Sequence, residues 1–369
     1  MKKTNDKLVV TISLTLILVC SAILGLILFW DQVTKDAENK AATTANQFYL
    51  YQNNLNGAGE DVSTANDPVI AVMVDNHVDA RPLQAGIAEA RVVYEAPVEG
   101  NFTRYMALFS MDDASELVGP VRSARPYFID WASEYSAFYL HSGGSPAALD
   151  MLKNNPASVY DVNEFWNGLY FWRDLKINAP HNLFTNAENW QSLVAEADGV
   201  APAWRGWQFE TIRAVDSAVR RPSVLVSSYA VPNGIIIPYN KNYEIVWQYD
   251  ATSSLFRRLI NGERERDASG QEIMASTIII QRTNIKTIDS EGRKKVTTVG
   301  EGEASVISLG RKLDGRWQKS AGGRTFFYNN GGEEVIFAAG PARNASHSDA
   351  GGTIWIEVVP LELVVKAVE

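Results

Sequence analysis

The chain has 369 residues, 46% of them hydrophobic, with 43 acidic against 34 basic residues, a net charge of −9 and a pI near 5.2. That balance argues against nucleic acid as a partner and against a polybasic grip on anionic lipid. A single cysteine, Cys20, rules out internal disulfides and a thiolate metal site, so the fold has to be held by its core.

Residues 8–30, opening on Leu8 and closing on Trp30, carry no charge. At about 1.5 Å rise per residue a helix of this length spans a bilayer core. Lys2, Lys3 and Lys7 precede it, which predicts a cytoplasmic N-terminus and an extracytoplasmic remainder. A cleaved signal peptide would have a shorter apolar region ending in small residues, whereas this one runs on to Phe29 and Trp30. Lipidation at Cys20 is the other alternative; the preceding Ile17, Leu18 and Val19 lack the small residue it calls for, and ten uncharged residues follow. The expectation is a single-pass anchor whose membrane contact is Leu8 to Trp30.

Residues 31–67 read as stalk and linker: a polar, alanine-rich stretch, then a run of Asn, Gly, Asp and Ser around residues 53–67. From Pro68 to about residue 232, short apolar runs alternate with helical patterns, which predicts an α/β domain and connector. Strands are expected at 69–74, 91–96, 105–110 and 137–141, and helices at 124–134, 146–154 and 187–196. From 233 to 360 the pattern changes to strands parted by Gly, Asn and Asp turns, at 243–249, 255–260, 276–282, 304–309, 325–328 and 353–359. The fold class is therefore an α/β N-terminal domain plus a β-rich C-terminal domain behind one transmembrane helix. Residues 361–369 read as a frayed tail.

Between Lys40 and Lys153 there is no lysine, yet five arginines occur: Arg81, Arg91, Arg104, Arg122 and Arg125. Forked, planar guanidinium groups without lysines fit the recognition of carboxylate or phosphate. Fourteen Asp and Glu residues share the stretch, so internal pairing is the competing reading. Four clusters carry the candidate chemistry. Asp75, Asn76 and His77 end the first strand, followed by Asp79 and Arg81. Strand ends are where open α/β sheets place ligands, although Asp and Asn also form ordinary turns. Next come Arg122, Ser123 and Arg125 before Pro126, at an expected helix start with Ser123 as its cap. Two cations there face a partial positive charge and call for an anion or a carboxylate. His141, Gly143, Gly144 and Ser145 form a strand-to-helix turn with N–H groups free to hold an anion. His181 lies four residues before Thr185, an expected cap.

These residues give Asp75 and His141 as candidate catalytic groups. The anion-binding candidates are Arg81, Arg104, Arg122, Ser123, Arg125, Gly143, Gly144, Ser145 and His181. The separations of His77, His141 and His181 match no ligand motif, so no metal is expected, and no cofactor follows from the sequence. The phosphate-binding loop, the nucleophile elbow, the His-Glu-x-x-His helix and the Ser-x-x-Lys pair with its companions are all missing. The aromatic run Phe165, Trp166, Tyr170, Phe171 and Trp172 reads as core, with sugar stacking as the alternative.

Residues 70–77, 80–82, 93–100, 119–126 and 141–146, with 247–250, 315–319 and 355–360 further on, resemble the YerB family of bacterial lipoproteins, also called DUF3048. The resemblance spans roughly residues 67–360 and implies a two-domain extracytoplasmic envelope protein of unknown activity. A fainter similarity is to the LytR-CpsA-Psr transferases, which attach lipid-pyrophosphate-linked polymers to the wall. Asp75, Arg81, Arg122 and Arg125 look similar in placement, while Glu89 to Arg91 only approximates that family's arginine element. Two functions follow as expectations. One is binding or transfer of an anionic cell-wall polymer or lipid phosphate through the arginines. The other is a non-catalytic scaffold or carbohydrate-binding module.

Overall fold

Every residue of the strand Val69–Asp75 is buried, and alternate side chains feed two different cores. Val69, Ala71 and Met73 join one; Ile70, Val72 and Val74 join the other. A strand covered on both faces reads as a continuous apolar run, and Val-Ile-Ala-Val-Met-Val is such a run. In the computed structural model of the chain, residues 51–52, 54–60, 67–111, 113, 115–155, 158–197, 204–210, 223–225, 228–339 and 352–369 are described.

The principal strands in chain order are β1 (Val69–Asp75), β2 (Val92–Pro97), β3 (Thr103–Ser110), β4 (Phe138–His141), β5 (Tyr160–Asn163), β6 (Tyr229–Ala230), β7 (Gly234–Asn240), β8 (Tyr243–Asp250), β9 (Leu255–Ile260), β10 (Thr277–Thr283), β11 (Gly300–Ser308), β12 (Arg311–Lys319), β13 (Phe326–Asn329) and β14 (Ile354–Pro360). Three α-helices occur among the described residues: α1 (Pro126–Ser133), α2 (Pro146–Asn154) and α3 (Ala187–Glu196). The protein is thus sheet-rich with few helices.

One eleven-stranded mixed sheet has the order β6-β12-β11-β10-β14-β2-β3-β1-β4-β5, with β13 beside β12. Strands from both sides of residue 233 share it. β14 runs parallel to β10 on one side and to β2 on the other. A second sheet of six strands contains β9, β8 and β7 in that order. Helices α1 and α2 pack in the core with Tyr94, Met106 and Leu108, on one face of the large sheet. Trp190 of α3 and Ile235, Ile245 and Trp247 of the second sheet pack in the other core.

Buried ion pairs add to this weld. Arg258 of β9 is 2.8 Å from Glu95 of β2, and both side chains are fully buried. Lys319, at the end of β12, reaches Glu134 at 2.8 Å and Asp130 at 2.9 Å, beside α1 and within it. Such pairs are costly to bury and costly to break singly.

The expected anchor at 8–30 and its stalk lie outside the described residues. Among the described residues no helix is long and apolar enough to cross a membrane. Residues 54–58 fall in the expected flexible linker but are packed instead. Leu55 and Ala58 are buried, and Asn56 donates through Nδ2 to the Gly352 carbonyl at 3.0 Å. Leu55 supplies the apolar anchor that a flexible linker lacks. In the expected tail, Lys366–Ala367 pairs antiparallel with Ile236 and Ile235 of β7. Arg125, not Ser123, stands at the cap position of α1, with Pro126 in the first turn and no side-chain cap bond. Helix α3 is capped by Asn186, which accepts from the Asn189 N–H at 2.9 Å. Thr185 instead accepts from Trp190 Nε1 at 3.0 Å and donates to the Tyr170 carbonyl at 2.9 Å.

Candidate functional site

The ends of β1 and β4 lie side by side, and residues 119–125 are laid between them. The Arg122 N–H donates to the Met73 carbonyl at 2.9 Å, and the Ser142 N–H donates to the Arg122 carbonyl at 3.0 Å. Two further bonds, Ala124 N–H to Gly143 O at 2.9 Å and Ser145 N–H to Ala124 O at 3.2 Å, continue the pairing. Gly119 starts this insertion because it must: a Cβ there would stand 2.7 Å from the Leu183 carbonyl oxygen. The backbone thereby delivers Arg122, Ser123 and Arg125 to one rim. Arg104 arrives from β3, where it faces Asp75 across the antiparallel register.

The result is a cleft of about 390 Å³. Asp75, Arg104, Arg122, Ser123, Arg125, Gly144 and Ser145 line it, so seven of the sequence candidates converge. His77 lines it too, and a turn from the C-terminal half adds Glu291 and Arg293. Those last two were not legible beforehand; the turn 289–293 reads as a solvated hairpin tip, and Arg293 pairs locally with Asp289 at 3.1 Å and also with Glu291.

The arginines differ in how they are answered. Arg125 makes a two-point fork to Glu99, 2.7 Å from Nε to Oε1 and 2.6 Å from the terminal nitrogen to Oε2. Burial pushes the Glu99 carboxyl up, but the Arg125 fork and charge outweigh it and hold it below its ordinary range. Arg122 lies 3.0 Å from Asp75. Arg104 has no ion pair among the described residues. It gives one bond, to the Ser123 carbonyl at 2.6 Å, and its buried Nε has no partner among them. Burial first, then the charges of Arg125 and Arg122, pull its guanidinium down to about 10. This arginine is only 5% exposed and repelled by two neighbours, and the charge of Asp75 offsets that repulsion only in part, without a direct ion pair.

Asp75 is the hub. His181 Nδ1 meets its Oδ2 at 2.7 Å, and the His77 N–H donates to its Oδ1 at 3.0 Å. Gln84 donates to its backbone carbonyl at 2.7 Å. Four candidates do not line the cleft: His181, which reaches it only through Asp75, and three that stand elsewhere. Arg81 donates to Asn76 Oδ1 at 3.1 Å and lies over the Tyr243 ring at 4.4 Å, which makes it a packing residue beside the cleft. His141 is fully buried, with Nδ1 2.7 Å from the Gly143 carbonyl oxygen and Nε2 2.7 Å from Asp161. Both ring nitrogens are occupied, so it holds the turn and does not reach the cleft as a base. Gly143 gives its N–H to Asn163 Oδ1 at 3.0 Å, so that donor is spent on the fold. Ser145, two residues further on, caps α2 by accepting from the Ala148 N–H.

The aromatic run is split. Tyr170 and Phe171 are buried, as a core reading expects, but Phe165 and Trp166 are 65% and 79% exposed. Sequence reasoning also missed a polar cluster behind the cleft. Arg258 contacts Glu95, Glu265 at 2.6 Å and, more distantly, Glu357 at 3.7 Å, with Tyr105 and Tyr243 bonded to it. Burial and then Glu95 push the Glu357 carboxyl up to about 8. Tyr243 also accepts from Asn76 Nδ2 at 2.6 Å, which ties this cluster to the end of β1.

Two family models match the chain: the N-terminal domain of a protein of unknown function, DUF3048, over residues 55–201, and the DUF3048 C-terminal domain over residues 235–342. A Bacillus subtilis (strain 168) protein named "Putative lipoprotein YerB" is 27% identical over 261 residues, covering 69% of this chain and 73% of that protein. The crystal structure of the YerB protein from Bacillus subtilis matches with a TM-score of 0.69 at 24% identity, covering 85% of this chain and 99% of that one, and so shares the fold. With both domains present in order and this relative aligned along most of its length, the chain belongs to the DUF3048 family.

Proposed function

We propose that this is an extracytoplasmic protein of the bacterial envelope whose arginine cleft binds a phosphorylated or carboxylated wall component. The lipoprotein name of its relative and the apolar run at 8–30 support the location. Arg104 carries the binding reading: a buried guanidinium lining an open cleft, with two arginines beside it and no carboxylate of its own. An anion supplies the missing charge, and Ser123, Ser145 and the backbone at Gly144 complete a polar wall. Binding is favoured over group transfer because His141 is locked into the fold and both oxygens of Asp75 are engaged.

The test is titration of the full-length protein with inorganic pyrophosphate and, in parallel, with citrate. Replacing Arg104 by Met removes the charge and keeps the stem. Loss of a charged hydrogen bond worth roughly 1.5–3 kcal/mol weakens binding on the order of 10- to 100-fold. Absence of saturable binding to either anion, or equal affinity in Arg104→Met, refutes the reading. A second reading rests on Phe165, Trp166 and Leu169, the last 88% exposed. Together they form an apolar platform of the kind that stacks on sugars. Retention on insoluble peptidoglycan that is lost in Trp166→Ala and unaffected in Arg104→Met would favour that scaffold role.

A further inference from the structure

We propose that His77, Asp79 and His181 form a binding site for a divalent cation of the zinc class at the mouth of the cleft, with Asp75 as its positioning residue. The three side chains come from two distant segments. One ligand atom from each lies within 4.8 Å of the others. With bonds of about 2.0–2.2 Å, two ligands on a tetrahedral ion stand roughly 3.3–3.6 Å apart. His77 Nδ1 and Asp79 Oδ2 already stand 3.4 Å apart. The Asp79 N–H also approaches that ring nitrogen, at 3.3 Å, a long contact that an ion bound there displaces.

Asp75 provides the independent observation. Its buried Oδ2 takes the His181 Nδ1 at 2.7 Å. That contact puts the proton on Nδ1 and leaves the lone pair at Nε2, the form in which a histidine ligates. A carboxylate behind a histidine in this way sets the ring's orientation and its tautomer. The carboxylate is itself held, by the His77 N–H at 3.0 Å and by Arg122. The His77 and His181 rings lie nearly parallel, 5.4 Å apart at an angle of 17°. Two imidazoles and one carboxylate suit zinc better than magnesium or calcium, which take mostly oxygen. Three protein ligands leave one position open for water, and His77 is the ligand that also lines the cleft.

The cation reading is independent of the anion reading, since zinc is titrated with no anion present. Full-length protein without a histidine tag is stripped with EDTA, and zinc chloride is titrated by calorimetry. Cobalt(II) replaces it in a second titration, read by its visible absorption. The expected result is one saturable equivalent and a tetrahedral cobalt band. His77→Gln and Asp79→Asn change side chains at or near the surface and keep the fold; each weakens zinc at least tenfold. Asp75→Asn leaves all three ligands in place yet weakens zinc roughly 10- to 100-fold, an effect that a purely packing role would not produce. Zinc should also raise the melting temperature of the wild type and not of the His77→Gln/Asp79→Asn double variant. No saturable binding, or binding by the double variant equal to the wild type, overturns the proposal.

Discussion

Glu357 makes the stability of this protein depend on pH in a direction opposite to that of most carboxylates. Its side chain lies fully inside, between the large sheet and β8, 2.8 Å from Trp247 Nε1 and 2.7 Å from the Tyr239 hydroxyl. Burial and the neighbouring Glu95 raise it from an ordinary 4.5 to about 8, against the smaller downward pull of Arg258. In the unfolded chain the group ionises near 4.5; in the folded chain it keeps its proton until about pH 8. Between those values the folded state binds more protons, so stability falls as pH rises and the loss is complete above about 8. Three and a half units at 1.36 kcal/mol each give about 4–5 kcal/mol across the window. Glu357→Gln keeps the shape and the hydrogen bonds but cannot ionise. Urea unfolding at pH 5, 6.5 and 8, followed by tryptophan fluorescence, should show the variant gaining stability on the wild type at each step. A difference between the two proteins that does not change with pH refutes the reasoning, whatever its size.

Three other outcomes are expected. Arg125→Ala removes both arms of the fork to Glu99 and should destabilise by roughly 1.5–3 kcal/mol in thermal melts, since Glu99 keeps its charge in a half-buried place. Gly143 has φ of +62°, a conformation that costs an L side chain about 1–2 kcal/mol, so Gly143→Ala should lower stability in urea unfolding by at least that amount, whereas Gly144→Ala has no such backbone cost and only forces Leu149 and Ala124, 3.2 and 3.3 Å from the new Cβ, to give way. A chain cut by protease between residues 199 and 233 should elute as one species in gel filtration. β14 lies between β10 and β2, and the Arg258–Glu95 and Lys319–Glu134 pairs bridge the cut; separation of the pieces in native buffer contradicts that.

Local patterns in the sequence carried a good deal of this. The apolar runs at 69–74 and 255–260 placed β1 and β9 within a residue, and Ser145 followed by Pro146 marked the start of α2. Seven candidates, among them Asp75, Arg104, Arg122 and Arg125, do line one cleft, because strand ends and the turn that follows a strand must come together at one edge of a sheet. What the chain could not show was which arginine is answered and by whom. Glu99 takes Arg125 and Asp75 takes Arg122, leaving Arg104, and those pairings depend on side chains meeting across the sheet. His141 and Arg81 have the same residue chemistry as their neighbours, yet the fold turns them into buried or stacked supports. Phe165 and Trp166 have the composition of core and stand in solvent. The composition changes near residue 233, yet β14, from beyond that point, pairs with β2 from before it. Periodicity is a property of neighbours along the chain, so sequence determines where strands and helices begin and which faces are apolar. Pairing between residues more than a hundred positions apart, as in His181 with Asp75 or Arg258 with Glu95, exists only once the sheets have closed.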